Sequence, residues 1–493
     1  MSDANSYTMK IGLNVLNHLG INLYSNVPAV LSEVVANSWD ADAENVKVTI
    51  DNKRHCITIY DDGHGMTKDD INDKFLYVGY ERRKHKDERV TPKHGRDVMG
   101  RKGIGKLSIF SVADVVEVHT VRDRQKSGFL MKVDDIKNSI KRNESEYHPA
   151  ALDEKEVTID RGTLIKISRL RKDLSRTEAG LKKRLARRFS IIGTKYKFNI
   201  SVNGSMVQIS DRDYFHKIQY IWVYDHKQFS YASYCKYLDK SDKRSGKLAG
   251  TKYNIHGWIG SVKGAGDLKD GDENLNKIVV MVRGKLAKED ILEEFSEGGI
   301  YSKYLIGEIN ADFLDVDDKA DIATSSRQDI KRDDERYLQL RAFLAKELKY
   351  IQSSWTDLRN LGGKKEAMKI PEIEEWFEGL KGDTKRRAER LFGKINLITV
   401  DSEDEKKSLL KHSILAFESL RYKENLDALE RISPENLASL SEIFTDLDDI
   451  EAVLYHQIVT ERLLVIEALD KKVGSLHFIV DFMHDERKIG VRS

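Results

Sequence analysis

Apolar positions change their period along this chain. From Pro28 through Ala41 they fall at helical spacing, with Leu31 and Val35 on one side. Glu33, Asn37 and Asp40, spaced by four and three, share the other side. Val46 to Ile50 and Cys56 to Tyr60 alternate, which predicts two strands joined at Asp51-Asn52. Thr67 opens a helix, with Asp70 at the third position of a capping box. The pattern lapses from Gly79 to Arg101. A charged, structureless connection of that length is expected to be a functional loop or lid. Ile104 to Val112 predicts a helix. Strands are expected at Val115 to Val121, Gly128 to Val133 and Thr163 to Ile167. A basic helix follows over Thr177 to Ile191, then a hairpin at Asn203-Gly204.

A second mixed region has strands at Ile255 to Val262, Lys277 to Val282 and Tyr304 to Ala311. Asp239 to Gly250 and Gly264 to Asp272 read as polar loops. Beyond Asp333 the alternation is gone. Leu340, Phe343, Leu344, Leu348, Ile351, Trp355 and Leu358 mark a helix that Gly362-Gly363 is expected to end. Ser433-Pro434-Glu435 starts another helix, and Ala452 to Leu469 carries a further apolar stripe. The expected division is therefore 1–212, 213–332 and 333–493. The apolar run Leu476 to Met483, so near Ser493, suggests part of a longer design.

Composition narrows the class. A chain of 493 residues exceeds one ordinary core. Charged residues make up 33% and the net charge is only +2, so no global field draws it to nucleic acid or membrane. Cys56 and Cys235 provide neither a disulfide framework nor a metal quartet, which fits a reducing cytoplasm. Met1 to Tyr7 is polar, and no apolar run would span a bilayer, so no membrane partner is expected.

Three stretches carry chemistry. On the first helix, a carboxylate at Glu33 would activate water and the Asn37 amide oxygen would ligate magnesium, although the same spacing describes any polar outer face. Asp61-Asp62-Gly63-His64-Gly65-Met66 lies between a strand and a helix. Its glycines allow a tight turn and close approach of a ring, and a buried carboxylate can accept the exocyclic amine of adenine. A surface turn uses the same residues. Gly100-Arg101-Lys102-Gly103-Ile104-Gly105-Lys106 enters a helix, where backbone amides favour phosphate. It is spelled much like a P-loop, but Leu107 stands where Ser or Thr is needed and no strand precedes it.

In this order the motifs resemble those of the GHKL superfamily: gyrase, the ninety-kilodalton heat-shock chaperones, histidine kinases and MutL. Glu33-x3-Asn37-x2-Asp40-Ala41 resembles the first motif and Asp61-x-Gly63-x-Gly65-Met66 the second. Gly100-x2-Gly103-x-Gly105 resembles the third, and Gly162-Thr163 the fourth. The lid is most similar to those of the chaperones and the prokaryotic relatives of microrchidia ATPases. The resemblance implies an α/β fold: a Bergerat ATP-binding sandwich, then an α/β transducer domain, then helices. It implies ATP and Mg2+, with Glu33 as general base, Asn37 on the metal, and Asp61 on the adenine amine with Thr163 supporting through water. Asp40, Gly63, Gly65 and Met66 would line the nucleotide. Gly100, Arg101, Lys102, Gly103, Ile104, Gly105 and Lys106 would close over its phosphates. Asp321 to Gln328 resembles the chaperone middle-domain segment, so Arg327 is expected at the terminal phosphate, with Lys285 as rival. The implied machine is a homodimeric clamp gated by ATP, in an anti-phage or DNA-associated setting. A nucleotide-gated binding module or chaperone-like protein with negligible turnover is the alternative.

Other residues stay open. His64 is expected to face solvent. Trp39 is odd within its motif and would alter pocket shape. Lys182-Lys183-Arg184, Arg187-Arg188, Lys243-Arg244 and Lys247 would be solvated surface or a contact to nucleic acid.

Overall fold

The computed structural model describes residues 27–437, apart from 102, 104, 172–177, 193–195, 225–230, 272, 296–298, 320, 323–329, 399, 401, 423–425 and 435. Contacts divide the chain into two compact units. The first comprises Met1–Ser261, Gly271–Glu297 and Leu305–Leu344, and the second Val262–Asp270, Gly298–Tyr304 and Ala345–Ser493.

The first unit holds two sheets. Helix α1 (Val27–Asp40) has Pro28 in its first turn, where a missing N–H costs nothing. Strands β1 (Asn45–Asp51) and β2 (Cys56–Asp61) pair antiparallel. In β1, Val46 and Val48 are buried while Asn45 and Lys47 are exposed, so alternation sets which face meets the core. Thr67 caps a short helix, α2 (Lys68–Asp70), through the expected capping box with Asp70. Strands β3 (Ala113–Arg122) and β4 (Gln125–Lys132) form a hairpin, followed by helix α3 (Val133–Lys141) and the short strand β5 (Ala150–Ala151). Strand β6 (Gly162–Leu170), helix α4 (Glu178–Arg188) and the hairpin β7 (Asn199–Val202)–β8 (Ser205–Met206) complete the layer. The eight strands lie in the order β5-β4-β3-β6-β2-β1-β7-β8, with β1 parallel to β7. One core unites Leu31, Val35 and Trp39 of α1 with Ile136 of α3, Leu181 and Leu185 of α4, and the inward strand residues.

The second sheet contains β9 (Ile218–Tyr224), β10 (Lys240–Arg244), β11 (His256–Val262), β12 (Ile278–Val282), β13 (Lys285–Lys288) and β14 (Leu305–Asn310), in the order β10-β9-β11-β14-β12-β13. A fully buried ion pair fixes α4 beside it. Arg212 Nη1 lies 2.8 Å from Glu308 Oε2 on β14, and the same guanidinium donates to the Ala186 and Phe189 carbonyls.

Helix α5 (Glu335–Ala367) begins in the first unit and runs into the second. There it meets α6 (Pro371–Gly379), α7 (Gly382–Ile395), α8 (Glu403–Tyr422) and α9 (Leu426–Arg431) around Trp376, Phe377, Phe392 and Phe417.

Several expectations need correction. Gly362-Gly363 does not end α5, which continues to Ala367. A Cβ on Gly363 would sit 2.2 Å from the Phe392 carbonyl oxygen, so this glycine serves a close helix crossing rather than a stop. The helix expected over 104–112 is a 3-10 helix, Gly105–Ser111. Part of the polar loop at 239–250 is edge strand β10, parallel to β9; its charged, exposed residues hide the strand signal. The stretch 79–101 is a folded strap. It has turns at Arg82–Lys84 and Lys86–Glu88 and a bridge between Val90 and Asp97. Ala452 to Leu469 and Leu476 to Met483 lie outside the described residues.

Candidate nucleotide site

Helix α1 presents the first group. Asn37 is exposed, Glu33 is mostly covered, and Asp40 is buried at the helix end. Asp40 is committed to the glycine-rich loop: Oδ1 accepts from the Met99 amide at 2.7 Å and Oδ2 from the Gly100 amide at 2.8 Å. It shapes the loop instead of facing open space.

Strand β2 delivers Asp61 into the core. Its Oδ2 accepts from Ser38 Oγ at 3.1 Å and its Oδ1 from the Gly63 amide at 3.0 Å. Burial pushes this carboxyl up to about 6, and hydrogen bonds from the Gly63 amide, the Ser38 hydroxyl and the Thr163 backbone oppose the shift only partly. Its neighbour Asp62 differs. It takes the Glu44 and Asn45 amides and the Asn45 side chain, and its pKa is lowered: burial pushes it up, but these bonds outweigh that. Asp62 pins a turn, while Asp61 keeps acceptor capacity.

The glycines around Asp61 are positions where a side chain would collide. Gly65 has φ +69°, and a Cβ there would lie 2.1 Å from the Val121 carbonyl oxygen. A Cβ on Gly63 would meet the Ala41 carbonyl at 2.6 Å and Asp61 Oδ1 at 2.9 Å. The Met66 amide donates to Thr120 Oγ1, and Thr120 Oγ1 lies 3.2 Å from Thr163 Oγ1. Thr163 stands opposite Asp61 in the β2–β6 register. His64 is half-buried rather than solvent-facing. Its Nδ1 is 2.7 Å from the Gly65 carbonyl oxygen, and burial lowers its pKa.

Glu33 also meets the second sheet. Lys285 on β13 is 3% exposed, and its Nζ lies 2.7 Å from Glu33 Oε1. The other Glu33 oxygen, Oε2, faces Gly105, whose Cβ would approach it to 2.6 Å. The two-residue turn Arg283-Gly284, with φ +51° and +78°, aims the lysine. It docks through the Ser190 amide, which donates to the Gly284 carbonyl at 3.0 Å. The sequence named Lys285 as the rival of Arg327, and the Arg-Gly turn between two apolar strands is the local signal that places it here. Arg327, Lys102 and Ile104 lie outside the described residues. Lys106 follows Gly105 in the 3-10 helix.

The lid is held at both flanks. At the α1 end, the Lys93 amide donates to Asp42, Arg96 donates to the Ala43 and Tyr196 carbonyls, and Trp39 Nε1 donates to the Asp97 carbonyl at 2.9 Å. Trp39 thus anchors the lid root, packed edge-on to Tyr196 and Phe198. Gly103 has φ +62°, and a Cβ there would strike the Tyr80 backbone at 2.4 Å.

Among the described residues no cluster of three or more His, Cys, Asp or Glu could hold a metal ion. One exposed amide oxygen, at Asn37, suits magnesium only if phosphate and water complete the shell, as that ion prefers beside nucleotides.

Such a helix, a buried strand-end carboxylate and a glycine-rich loop in this order are features of the GHKL ATPases, and the α/β sandwich is the Bergerat fold. Residues 24–163 match the family described as histidine kinase-, DNA gyrase B-, and HSP90-like ATPase, and the chain belongs to the GHKL superfamily, related to HSP90-like proteins. It is 37% identical over 361 residues to a Herpetosiphon aurantiacus protein whose name assigns it provisionally as type II restriction enzyme HgiDII, covering 73% of this chain and 58% of that one. Chaperone protein HtpG of Photorhabdus laumondii subsp. laumondii is 31% identical over 119 residues, 20% of this chain and 19% of the chaperone. HtpG of Alkalilimnicola ehrlichii is 30% identical over 142 residues, 24% and 22% of the two lengths. The chain therefore spans well under two thirds of these relatives.

Proposed function

We propose that this chain binds ATP with Mg2+ and hydrolyses it. The Lys285–Glu33 pair carries the reading. Glu33 lies on α1 with Oε2 toward Gly105 of the glycine loop, and a buried cation from the second sheet sits against its Oε1. While they are paired, Lys285 neutralises the charge of Glu33. A phosphate presented at Gly100, Gly103 and Gly105 offers Lys285 a second anion, leaving Glu33 to take the proton of an attacking water. Asp61 would accept the adenine amine, with Thr163 behind it. Magnesium, held through Asn37, would neutralise phosphate charge. Arg327 remains a candidate for the same phosphate. Phosphate release by the wild type, by Glu33→Ala and by Lys285→Ala tests the reading: loss in Glu33→Ala with ATP binding retained supports it, and equal rates overturn it. Binding without turnover in every form favours a gated binding module or chaperone-like protein.

By family analogy the working form is a homodimeric clamp closed by ATP. Light scattering with a non-hydrolysable analogue should show doubled mass, and a monomer throughout rejects it. The setting we propose is cytoplasmic and defence- or DNA-associated, drawn from the restriction-enzyme relative. No helix among the described residues is long and apolar enough to cross a membrane.

One observation favours a nucleic-acid contact. Four cations of α4 are paired: Lys182 with Asp211, Lys183 with Asp213, Arg187 with Glu273 and Arg188 with Glu289. Around edge strand β10, by contrast, Lys236, Lys240, Lys243, Lys247 and Lys252 are exposed and have no carboxylate partner among the described residues, beside exposed Tyr234 and Tyr237. Charge reversal of these lysines should abolish any salt-dependent DNA binding, while reversal on α4 should not.

A further inference from the structure

We infer that Asp315 and Asp317 form a positioning clasp that sets the ATP lid and Lys285 together. The inference rests on the ATPase reading and names residues that no motif contains.

Three guanidiniums from separate places converge on these two carboxylates. Arg83 stands near the start of the lid and is 3% exposed; its Nη1 lies 2.7 Å from Asp315 Oδ2 and 3.5 Å from Asp317 Oδ1. Arg101, inside the glycine-rich motif, reaches Asp315 Oδ1 at 2.5 Å and also donates to the Val316 and Lys319 carbonyls. Arg283, the first residue of the turn before Lys285, donates from Nη2 to Asp317 Oδ1 at 2.7 Å and to the Asp315 carbonyl at 3.0 Å. Arg89 adds an outer pair with Asp318. The two ends of the lid and the base of the lysine turn therefore share one acidic segment.

Other contacts show what the clasp holds in place. Arg83 Nε and Nη2 donate to the Gly100 and Met99 carbonyls, the same two residues whose amides Asp40 takes. The loop before Gly103 is thus gripped from α1 and from Asp315 through Arg83. Arg283 carries a left-handed backbone, uncommon for a long side chain, and its amide is tied to Asp312 Oδ1 at 2.6 Å. Such a turn persists where its surroundings over-determine it, and Asp317 and the Asp315 carbonyl supply that hold. Burial would raise the Asp315 carboxyl, but Arg83, then Arg283 and Arg101, keep it at about 2, so it stays charged at any working pH.

A cluster that only stabilised the fold would lower the melting temperature and leave kinetic constants alone. The clasp predicts a split instead. Asp317→Asn frees Arg283 and should lower kcat for ATP at least about fivefold with KM little changed, because Lys285 loses its aim. Arg101→Gln frees the lid and should raise KM about fivefold or more with a smaller change in kcat. Asp315→Asn should do both, and Asp317→Glu should restore part of the loss. In parallel, trypsin should cut within residues 79–101 faster in Asp315→Asn and Arg101→Gln than in the wild type, and no faster in Asp317→Asn. Should Asp315→Asn fail to fold, the contrast between Asp317→Asn and Arg101→Gln decides. Unchanged constants, or both constants shifting alike in these two folded variants, overturn the clasp. If the wild type shows no turnover, the ATPase reading fails, and the trypsin pattern alone judges the clasp.

Discussion

Ser38 and Asp61 meet across the gap between α1 and β2, hydroxyl to carboxylate at 3.1 Å, inside the core. Burial there raises the Asp61 pKa to about 6 against the pull of that hydrogen bond. A group shifted up in this way favours the folded state below its unfolded pKa and loses that contribution as pH rises through the folded value. Nucleotide binding has the opposite sense, because the ionised form is the better acceptor for an amine. ATP affinity should fall on the order of tenfold between pH 7.5 and 5. Purine riboside triphosphate, which lacks the amine, should show little of that dependence. Calorimetric titration of both ligands at the two pH values checks it.

Removing the cation opposite Glu33 should separate binding from turnover. Lys285→Met keeps the volume and removes the charge. We expect kcat lowered by about a hundredfold, with ATP affinity changed by less than about threefold. Equal losses in kcat and affinity would mean that Lys285 organises the whole pocket.

Two glycine replacements should have different consequences. Gly65→Ala forces a side chain onto a left-handed backbone and into the Val121 carbonyl, so the sandwich should lose at least about 2 kcal/mol. Gly103→Ala meets Tyr80 in the lid. It should weaken ATP binding with little change in melting temperature. Thermal melts with and without ATP distinguish the two.

Gly363→Ala tests the helix crossing. Helix propensity alone would favour alanine by about 1 kcal/mol. The collision with Phe392 should outweigh that and lower the melting temperature of the helical unit by roughly 4 °C. A rise would show that α5 and α7 have room to separate.

The sandwich was legible because its elements obey simple periods. Val46 and Val48 alternate on β1, and Leu31 and Val35 share a face of α1. Glu33, Asp40, Asp61 and Gly105 were all named from spacing and resemblance; in the fold Glu33 lies against Gly105, Asp40 holds the Met99 and Gly100 amides, and Asp61 is buried under Ser38. What the sequence concealed depends on long-range geometry. Nothing local to Gly363 distinguishes a helix stop from a helix crossing; only Phe392, on another helix, does. Strand β10 has no apolar alternation because its backbone pairing, not its side chains, makes it a strand. Lys285 was named from the sequence as the rival of Arg327, but its pairing with Glu33 was visible only once β13 was placed beside α1, and Asp315 only when three distant arginines were seen to converge on it.

Trp39 has a further use. Of the five tryptophans, the other four, Trp222, Trp258, Trp355 and Trp376, all come after residue 212. Its indole N–H is fastened to Asp97, and the Arg96 guanidinium rests 4.6 Å above its ring. Any rearrangement of the strap changes the electric field on that chromophore. The protein therefore carries its own optical reporter, so stopped-flow emission could follow closure in real time without a dye.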